Sequence, residues 1–480
     1  MKIKTLIESI PTQQISGDVE TEISGIYYDS RQVRPGGLFV AFSGEHTDGT
    51  EYIGDALNRG ATAVVSEYPT ISEAGVVHIQ VKNAREVLGL LASQFYGNLS
   101  RELCVIGITG TNGKTTVTYL LRDLLQDAGH KTGLLGTVAY EIGDHKIPAT
   151  RTTPEAPEIH DFFQKMVHAQ CDHAVMEVSS HALDLHRVEG ITFSLALFTN
   201  LTQDHLDYHH TLEDYFLVKA KLFKGGHPAV INLDDPWGKR LLTLLDANTT
   251  TCTYGFNPDA DVYATHEMLT EKGSTFSIHT PWGKGKIRSQ LLGRFNIYNV
   301  LAALAAGGVL GLNLDTMIRT LSKIPAVSGR LERVQNRKKL HVFIDYAHTD
   351  DALKNVLKTL REICKGRLVV VFGCGGDRDR KKRRLMGRVA AELADHIVVT
   401  SDNPRKEEPE EIIAEILEGM PSLENVDVVV DRREAIRAGL SKLKRKDILL
   451  VAGKGHETYQ ELRDTIIPFN DRDVVREILG

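Results

Sequence analysis

Cys104-Val-Ile-Gly-Ile-Thr-Gly-Thr-Asn-Gly-Lys-Thr-Thr116 is an apolar run that breaks into a Gly-rich turn and closes on Gly-Lys-Thr-Thr. It predicts a buried strand, a phosphate-cradling loop and the first turn of a helix. Glycine removes side chains, so backbone N–H groups can face phosphate oxygens, and the helix N-terminus adds partial positive charge. Lys114 is then placed to reach β/γ-phosphates and Thr115 to offer a hydroxyl to Mg²⁺. The common loop G-x-x-x-x-G-K-[ST] requires Gly at 108, where this chain has Ile108; Gly107 comes one residue early and Gly110 two late. The expectation is a nucleotide triphosphate bound through a variant loop.

Outward from this loop, 480 residues exceed one core and fit about three domains of roughly 150 residues. A net charge of −6 gives no basic excess, so nucleic acid is not expected as a partner. The five cysteines at 104, 171, 252, 364 and 374 form no C-x-x-C pair, which argues against a zinc knuckle or a disulfide framework. The first residues, Met-Lys-Ile-Lys-Thr-Leu-Ile-Glu-Ser-Ile-Pro, carry charges where a signal peptide needs an apolar run. No stretch approaches the ~18 apolar residues of a membrane span. A cytoplasmic, monomeric protein is expected.

The fold class expected is α/β in three domains. Residues 1–98 hold short alternating segments (19–26, 37–41, 63–65, 76–81) and suggest a small α/β unit without a phosphate loop. Residues 99–330 alternate strands at 103–108, 132–137, 173–178, 193–199 and 228–232 with helices near 114–129, 155–169 and 211–223. That spacing predicts a doubly wound, mostly parallel sheet with ligands at the carboxyl ends of its strands. Antiparallel strands are expected between about 260 and 295, then a buried Ala-rich helix at 299–310. Residues 331–480 repeat the alternation, with strands at 340–344, 367–372, 396–400, 426–430 and 447–451, as a Rossmann-like α/β domain.

Chemistry concentrates at strand ends. In Met176-Glu-Val-Ser-Ser-His-Ala-Leu-Asp-Leu-His-Arg187, Glu177 emerges at the ligand edge, as a magnesium ion on β/γ-phosphates requires; the plainer reading makes Ser179 or Ser180 a helix cap. In Thr199-Asn-Leu-Thr-Gln-Asp-His-Leu-Asp-Tyr-His-His210, His205 and His209 have the spacing of a zinc helix, but Leu206 stands where the zinc-protease motif needs Glu. His205 is instead a candidate ligand to a second Mg²⁺. Phe216, Lys219, Leu222 and Phe223 share one apolar helix face. Lys219 either snorkels or pairs with an acid there, or is neutral and chemically modified; the sequence leaves both open. In the last domain, Gly373-Cys-Gly-Gly-Asp-Arg-Asp-Arg-Lys-Lys-Arg-Arg384, Asp402-Asn-Pro-Arg405 and Gly453-Lys-Gly-His-Glu457 all follow strands. Most charges of the first stretch are expected to coat a solvated loop. Arg378, Arg405 and Glu457 can converge as a receptor for an amino-acid zwitterion, with Arg405 offering a bidentate fork.

Thr109-Gly-Thr-Asn-Gly-Lys-Thr-Thr116, Glu177-Val-Ser-Ser-His181, Asn200-Leu-Thr-Gln-Asp-His205, Asn296-Ile-Tyr-Asn299, Gly329-Arg-Leu-Glu332 and Asp345-Tyr-Ala-His348 together resemble the Mur ligases, ATP-dependent amide-forming enzymes of peptidoglycan precursor synthesis. The likeness runs in order along the whole chain, and Gly at 110 is this family's version of the loop. Asp29-Ser-Arg31 and Asp402-Asn-Pro-Arg405 are similar to members that add meso-diaminopimelate to the D-glutamate of UDP-N-acetylmuramoyl-L-alanyl-D-glutamate.

The resemblance implies that Gly110, Thr111, Asn112, Gly113, Lys114, Thr115, Thr116, Asn296, Asn299, Arg330, Asp345 and His348 hold ATP. It assigns Ser30, Thr152, Thr153, Ser179 and Arg187 to the UDP-muramoyl dipeptide. Arg378, Asp402, Asn403, Pro404, Arg405, Gly453 and Glu457 would hold diaminopimelate. Thr115, Glu177, His205 and Lys219 would serve Mg²⁺, with Lys219 as a CO₂-derived carbamate; Lys114, Lys219, Glu177 and His205 would be catalytic. Two departures stand out. Asp350 replaces a usual Pro, which changes only a helix start, and Arg151 precedes Thr152-Thr153 where a smaller polar residue is expected. Two rivals share the loop: a folylpolyglutamate-synthase-like ligase, which is not expected to carry Asp402-Asn-Pro-Arg405, and a nucleotide-dependent switch or kinase.

Overall fold

A computed structural model describes residues 1–8, 10–44, 47–69 and 75–480. Three main sheets follow one another along the chain. The first has five strands in the order Thr12–Ser16, Val77–Val81, Ala61–Ser66, Gly37–Val40, Gly25–Tyr27. All its pairings are parallel except that of Thr12–Ser16 with Val77–Val81. The expected segment 19–26 contributes strand only at Gly25–Tyr27, because residues 19 and 21 are already tied by backbone bonds to the first helix, Ile3–Ile7.

The central sheet has eleven strands. Its parallel middle runs Thr251–Gly255, Ala229–Asn232, Leu195–Phe198, Cys104–Thr109, His173–Glu177, Thr132–Leu135. Strand residues alternate faces, so Ile106 and Ile108 pack with helices Lys114–Asp127 and Arg294–Val309, while Val105 packs with Phe163 of helix Ala156–His168. Both faces are therefore buried, as near-continuous apolar strands require. One end carries the expected antiparallel strands, Val262–Thr270, Gly273–Thr280 and Gly283–Ser289. The other end carries a strand pair the sequence reading lacks, Ala139–Ile142 with His145–Pro148.

The third sheet is parallel through His341–Asp345, Ile448–Ala452, Leu368–Phe372, His396–Val399 and Val426–Val428, with Glu332–Arg333 added antiparallel. A separate hairpin, Tyr459–Leu462 with Thr465–Pro468, follows it. Among the described residues, no helix is long and apolar enough to cross a membrane.

The sheets are joined by specific contacts. Tyr28 Oη donates to Glu158 Oε1 at 2.6 Å, and Ser93 Oγ donates to the Gly190 carbonyl at 2.8 Å. Asp351, from the third part of the chain, and Arg330, at its junction with the second, both reach the phosphate loop described next.

Candidate active site

Strand Cys104–Thr109 lies between His173–Glu177 and Leu195–Phe198, where chain connections leave to opposite sides. Its carboxyl end is thus the crevice in which α/β folds bind ligands. Gly110 and Gly113 are the glycines this turn requires. Gly110 has φ +144°, and a Cβ there would sit 1.9 Å from Thr199 Oγ1; Gly113 has φ +89°, and its Cβ would sit 2.4 Å from Asn299 Oδ1. Gly107 belongs to the strand, where a Cβ would strike the Phe193 ring at 2.7 Å. Asn200 braces the loop from the neighbouring strand end, accepting from Asn112 N at 3.0 Å and donating to Asn112 O at 3.1 Å. A cavity of about 520 Å³ opens over the loop.

Lys114 begins the helix, and its Nζ donates to the carbonyls of Gly110 and Thr111, both at 2.9 Å. Thr116 is buried on the same turn. Thr115 Oγ1 donates to Glu177 Oε2 at 2.9 Å and accepts from Arg330 Nη2 at 3.0 Å. Glu177 is fully buried and also accepts from Thr137 N at 2.8 Å and Thr137 Oγ1 at 3.0 Å. Thr115 and Glu177 thus form a set of hard oxygens beside the loop, which suits Mg²⁺.

Lys219 is 1% exposed, on helix Leu212–Ala220. It neither snorkels nor meets an acid: Nζ donates to Gly110 O at 3.0 Å and lies 4.4 Å from the centre of the Tyr215 ring. Burial, with the Lys114 charge beside it, pushes its ammonium well below the usual lysine range. Burial likewise lowers Lys114. Lys221, by contrast, pairs with Asp184 at 3.1 Å.

His205 has a left-handed backbone, φ +52°, and packs edge-on to His181. Desolvation in the cleft, reinforced by His181, Lys114 and Lys219, pulls its imidazole down to about 4 against the raising effect of Asp204. His209 does not join it: His209 Nε2 lies 2.9 Å from Ser180 Oγ and its ring stacks on Tyr215. Among the described residues, the one grouping of metal-ligand type is His130, Asp172 and His173, at the opposite strand ends. His205 and His209 are not part of that grouping.

On the third-sheet side of the cavity, Asp345 accepts from Leu331 N at 2.6 Å and Ala347 N at 2.7 Å, which fixes the turn bearing His348. Arg330 lies over the Tyr346 ring, 4.8 Å from its centre. Asn299 Nδ2 donates to Asn296 Oδ1 at 2.9 Å. Asp351 Oδ2, absent from the sequence reading, accepts from Asn112 Nδ2 at 3.1 Å and Thr202 Oγ1 at 2.9 Å. Helix Asp350–Ile363 starts at Asp350 itself, capped by Thr349, so Asp350 occupies the helix start.

Thr152, Thr153, Ser179 and Arg187 gather beyond Glu177. Thr152 Oγ1 is 3.1 Å from Thr137 Oγ1, and Thr153 Oγ1 donates to Glu177 O at 2.8 Å. Arg187 Nη1 donates to Thr153 O at 3.3 Å, and its Nε is 2.9 Å from Glu155 Oε1. Ser179 is the cap of helix Ser180–Asp184, so the cap reading holds alongside the buried Glu177. Arg151 pairs with Glu155 Oε1, the same oxygen that Arg187 Nε approaches. Ser30 is buried in the first unit, next to Asp29, which caps its turn, and no hydrogen bond joins it to the other four.

The amino-acid candidates share one edge of the third sheet. Asn403 Nδ2 donates to Glu457 Oε2 at 3.0 Å. Arg405, in a left-handed backbone with φ +54°, donates Nε to Glu461 Oε2 at 3.0 Å and Nη1 to Gly376 O at 2.7 Å. Gly375 lies between Arg405 Nη1 and Arg378 Cγ, which an added Cβ would approach to 3.0 and 3.9 Å. Asp402 is buried 3.9 Å from Arg432 Nη1, and Gly453 (φ +115°) leaves room for it, since a Cβ there would meet Asp402 Oδ2 at 2.5 Å. Pro404 is buried between Asn403 and Arg405. The basic run corrects the solvated-loop expectation at Arg383, which is fully buried and bonded to Glu407 and Glu415.

A phosphate loop with a buried lysine beside it, under a cavity at the strand ends of the central sheet, defines a nucleotide-dependent enzyme. Family models described as "Mur ligase family, catalytic domain", "Mur ligase middle domain" and "Mur ligase, glutamate ligase domain" match residues 22–96, 108–307 and 329–455. The chain is 44% identical to the UDP-N-acetylmuramoyl-L-alanyl-D-glutamate–2,6-diaminopimelate ligase of Clostridium tetani, over 100% of this chain and 99% of that one. It is 45% identical to the ligase of the same name from Geobacter metallireducens, over 99% and 98%. A solved structure of a ligase of that name superposes with TM-score 0.73 and 33% identity, covering 100% and 99%. The fold alone is shared with a MurF ligase from Thermotoga maritima in complex with ADP (TM-score 0.63, 18% identity, 96% and 97% covered). The chain belongs to the Mur ligase family.

Proposed function

We propose that this chain is an ATP-dependent ligase of peptidoglycan precursor synthesis. It joins meso-2,6-diaminopimelate to the γ-carboxylate of D-glutamate in UDP-N-acetylmuramoyl-L-alanyl-D-glutamate. The observation that carries this reading is the presence, in one chain, of two polar clusters at strand ends of two sheets. One is the loop of Lys114, Thr115 and Glu177; the other is the hydrogen-bonded cluster of Asn403, Glu457 and Arg405. Relatives bearing that ligase's name over the whole chain support it.

A carboxylate does not react with an amine until it is activated. The γ-phosphoryl group would pass from the β,γ-bridging oxygen of ATP to a glutamate carboxylate oxygen, giving an acyl phosphate and ADP. The neutral amine of diaminopimelate then attacks the carbonyl carbon, phosphate leaves, and the nitrogen loses a proton as the amide forms. Lys114 would exchange its loop carbonyls for phosphate oxygens, and Arg330 would approach from the junction with the third unit. Thr115, Glu177, His205 and a carbamylated Lys219 would hold magnesium. When bound, magnesium supplies neutralisation of the phosphate charge. The low proton affinity of Lys219 favours the free amine that adds CO₂.

In this reading residues 1–98, with Ser30, and the Thr152, Thr153, Ser179 and Arg187 group bind the UDP-muramoyl dipeptide. Residues 99–330 bind ATP and 331–480 bind diaminopimelate. The protein would act as a cytoplasmic monomer. Phosphate release should require both the UDP-muramoyl dipeptide and the amino acid, which also separates this reading from a kinase or switch. Meso-diaminopimelate should exceed L-lysine in kcat/KM; equal values would remove the acceptor assignment.

A further inference from the structure

Lys454 follows the last strand of the third sheet and is fully buried, yet its ammonium touches no solvent-side partner. Its Nζ donates to Asn403 Oδ1 at 2.9 Å and to Glu457 Oε2 at 2.8 Å, and lies 5.5 Å from the centre of the Tyr459 ring. Asn403 Oδ1 also accepts from Glu461 N at 2.9 Å. Both groups on that oxygen are pure donors, which settles which end of the amide is which. Asn403 Nδ2 is consequently the end that faces Glu457 Oε2, at 3.0 Å.

One Glu457 oxygen therefore receives two donors that nothing else can supply, while among the described residues Oε1 has no protein hydrogen bond. A half-buried carboxylate held through one oxygen keeps the other available to a ligand. A buried lysine is a costly group to keep unless its partners are oriented by it.

We propose that Lys454 is a positioning residue for the acceptor amino acid: it locks the Asn403 amide and one oxygen of Glu457, so that the other oxygen meets the acceptor's ammonium group. The inference rests on the acceptor assignment above, but its test does not depend on which amino acid is used. Steady-state kinetics would be measured for Lys454→Met, Glu457→Gln and the double variant, with the acceptor that the parent enzyme turns over. Lys454→Met should raise the acceptor KM at least about tenfold, with KM for ATP and for the UDP-muramoyl substrate held within about twofold. In the Glu457→Gln background the same change should add less than about twofold, because the group it orients is already gone.

A rise shared by all three KM values, or full additivity in the double variant, overturns the proposal and leaves Lys454 a packing residue. If the Met variant does not fold, Lys454→Gln, a shorter neutral donor, is read by the same criteria. A parent that prefers L-lysine would instead overturn the diaminopimelate reading, and the Lys454–Glu457 coupling would still be decided on lysine.

Discussion

An ammonium with no carboxylate partner, held on a carbonyl that a second ammonium already occupies, is an unfavourable arrangement for two charges. Lys114 and Lys219 both donate to Gly110 O, at 2.9 and 3.0 Å. Burial lowers both, and the Lys114 charge lowers Lys219 further. The group that relieves this is an anion, and conversion of the Lys219 amine to a carbamate would supply one at that point. Lys219→Ala is therefore expected to lower kcat at least about a hundredfold while ADP affinity changes by less than about threefold. Isothermal titration beside a turnover assay separates the two, and a fully active variant would end the carbamate role. The apolar helix face made Lys219 conspicuous from sequence, because a lysine there contradicts its neighbours. Asp351, Thr137 and Glu461 gave no such signal. Each sits in an ordinary polar context and acquires its role from a partner remote in sequence: Asn112, Glu177 and Arg405 respectively.

Elements were legible where burial writes a pattern. The strands 104–109, 173–177 and 368–372 are buried at nearly every position and read as apolar runs. Thr12–Ser16, His145–Pro148 and Thr465–Pro468 are exposed throughout, so no alternation marks them and no core fixes their composition. The loop into helix Lys114–Asp127 is the element most exposed to a single change. Gly113→Ala must hold φ +89° and place a methyl 2.4 Å from Asn299 Oδ1. A cost of about 2 kcal/mol should weaken ADP binding by at least about tenfold, read by titration; unchanged affinity would mean that the loop re-forms around the methyl. A second element-scale test concerns helix Lys381–Leu393, anchored by buried Arg383 on Glu407 and Glu415. Hydrogen bonding to Arg383 holds the Glu407 carboxyl at about 2, below its ordinary 4.5. A folded-state value below the unfolded one stabilises above pH 4.5 and loses that contribution as pH falls through about 2. Glu407→Gln should cost about 2 kcal/mol at neutral pH. In urea melts the gap from the parent should close as pH drops below 4.5; a pH-independent gap would assign the loss to packing instead.

At the scale of the whole molecule, the cleft is assembled from parts that lie far apart in sequence. The loop and Glu177 come from the central sheet; Asp351 approaches from the third unit and hydrogen-bonds Asn112, while Arg330, at the junction of the two units, hydrogen-bonds Thr115. In the proposed reaction, activating a carboxylate on one unit and delivering an amine from another would require this seam to close, and closure would exclude the water that hydrolyses an acyl phosphate. The sequence showed the three units through their strand alternation, but it carried no trace of the seam, since hydrogen bonds between units leave no period. Asp351 is the informative position because its Oδ2 spans Asn112 and Thr202 while lying outside the residues assigned to ATP. Asp351→Ala removes both bonds, together with one from Asn355 Nδ2 within its own helix, and creates no buried charge. The expected result is a larger radius of gyration by small-angle scattering without nucleotide, ADP affinity within about threefold, and kcat lower by about tenfold. Unchanged scattering with unchanged kcat would show that Arg330 and packing alone hold the units together, so that Asp351 only caps the polar atoms it touches.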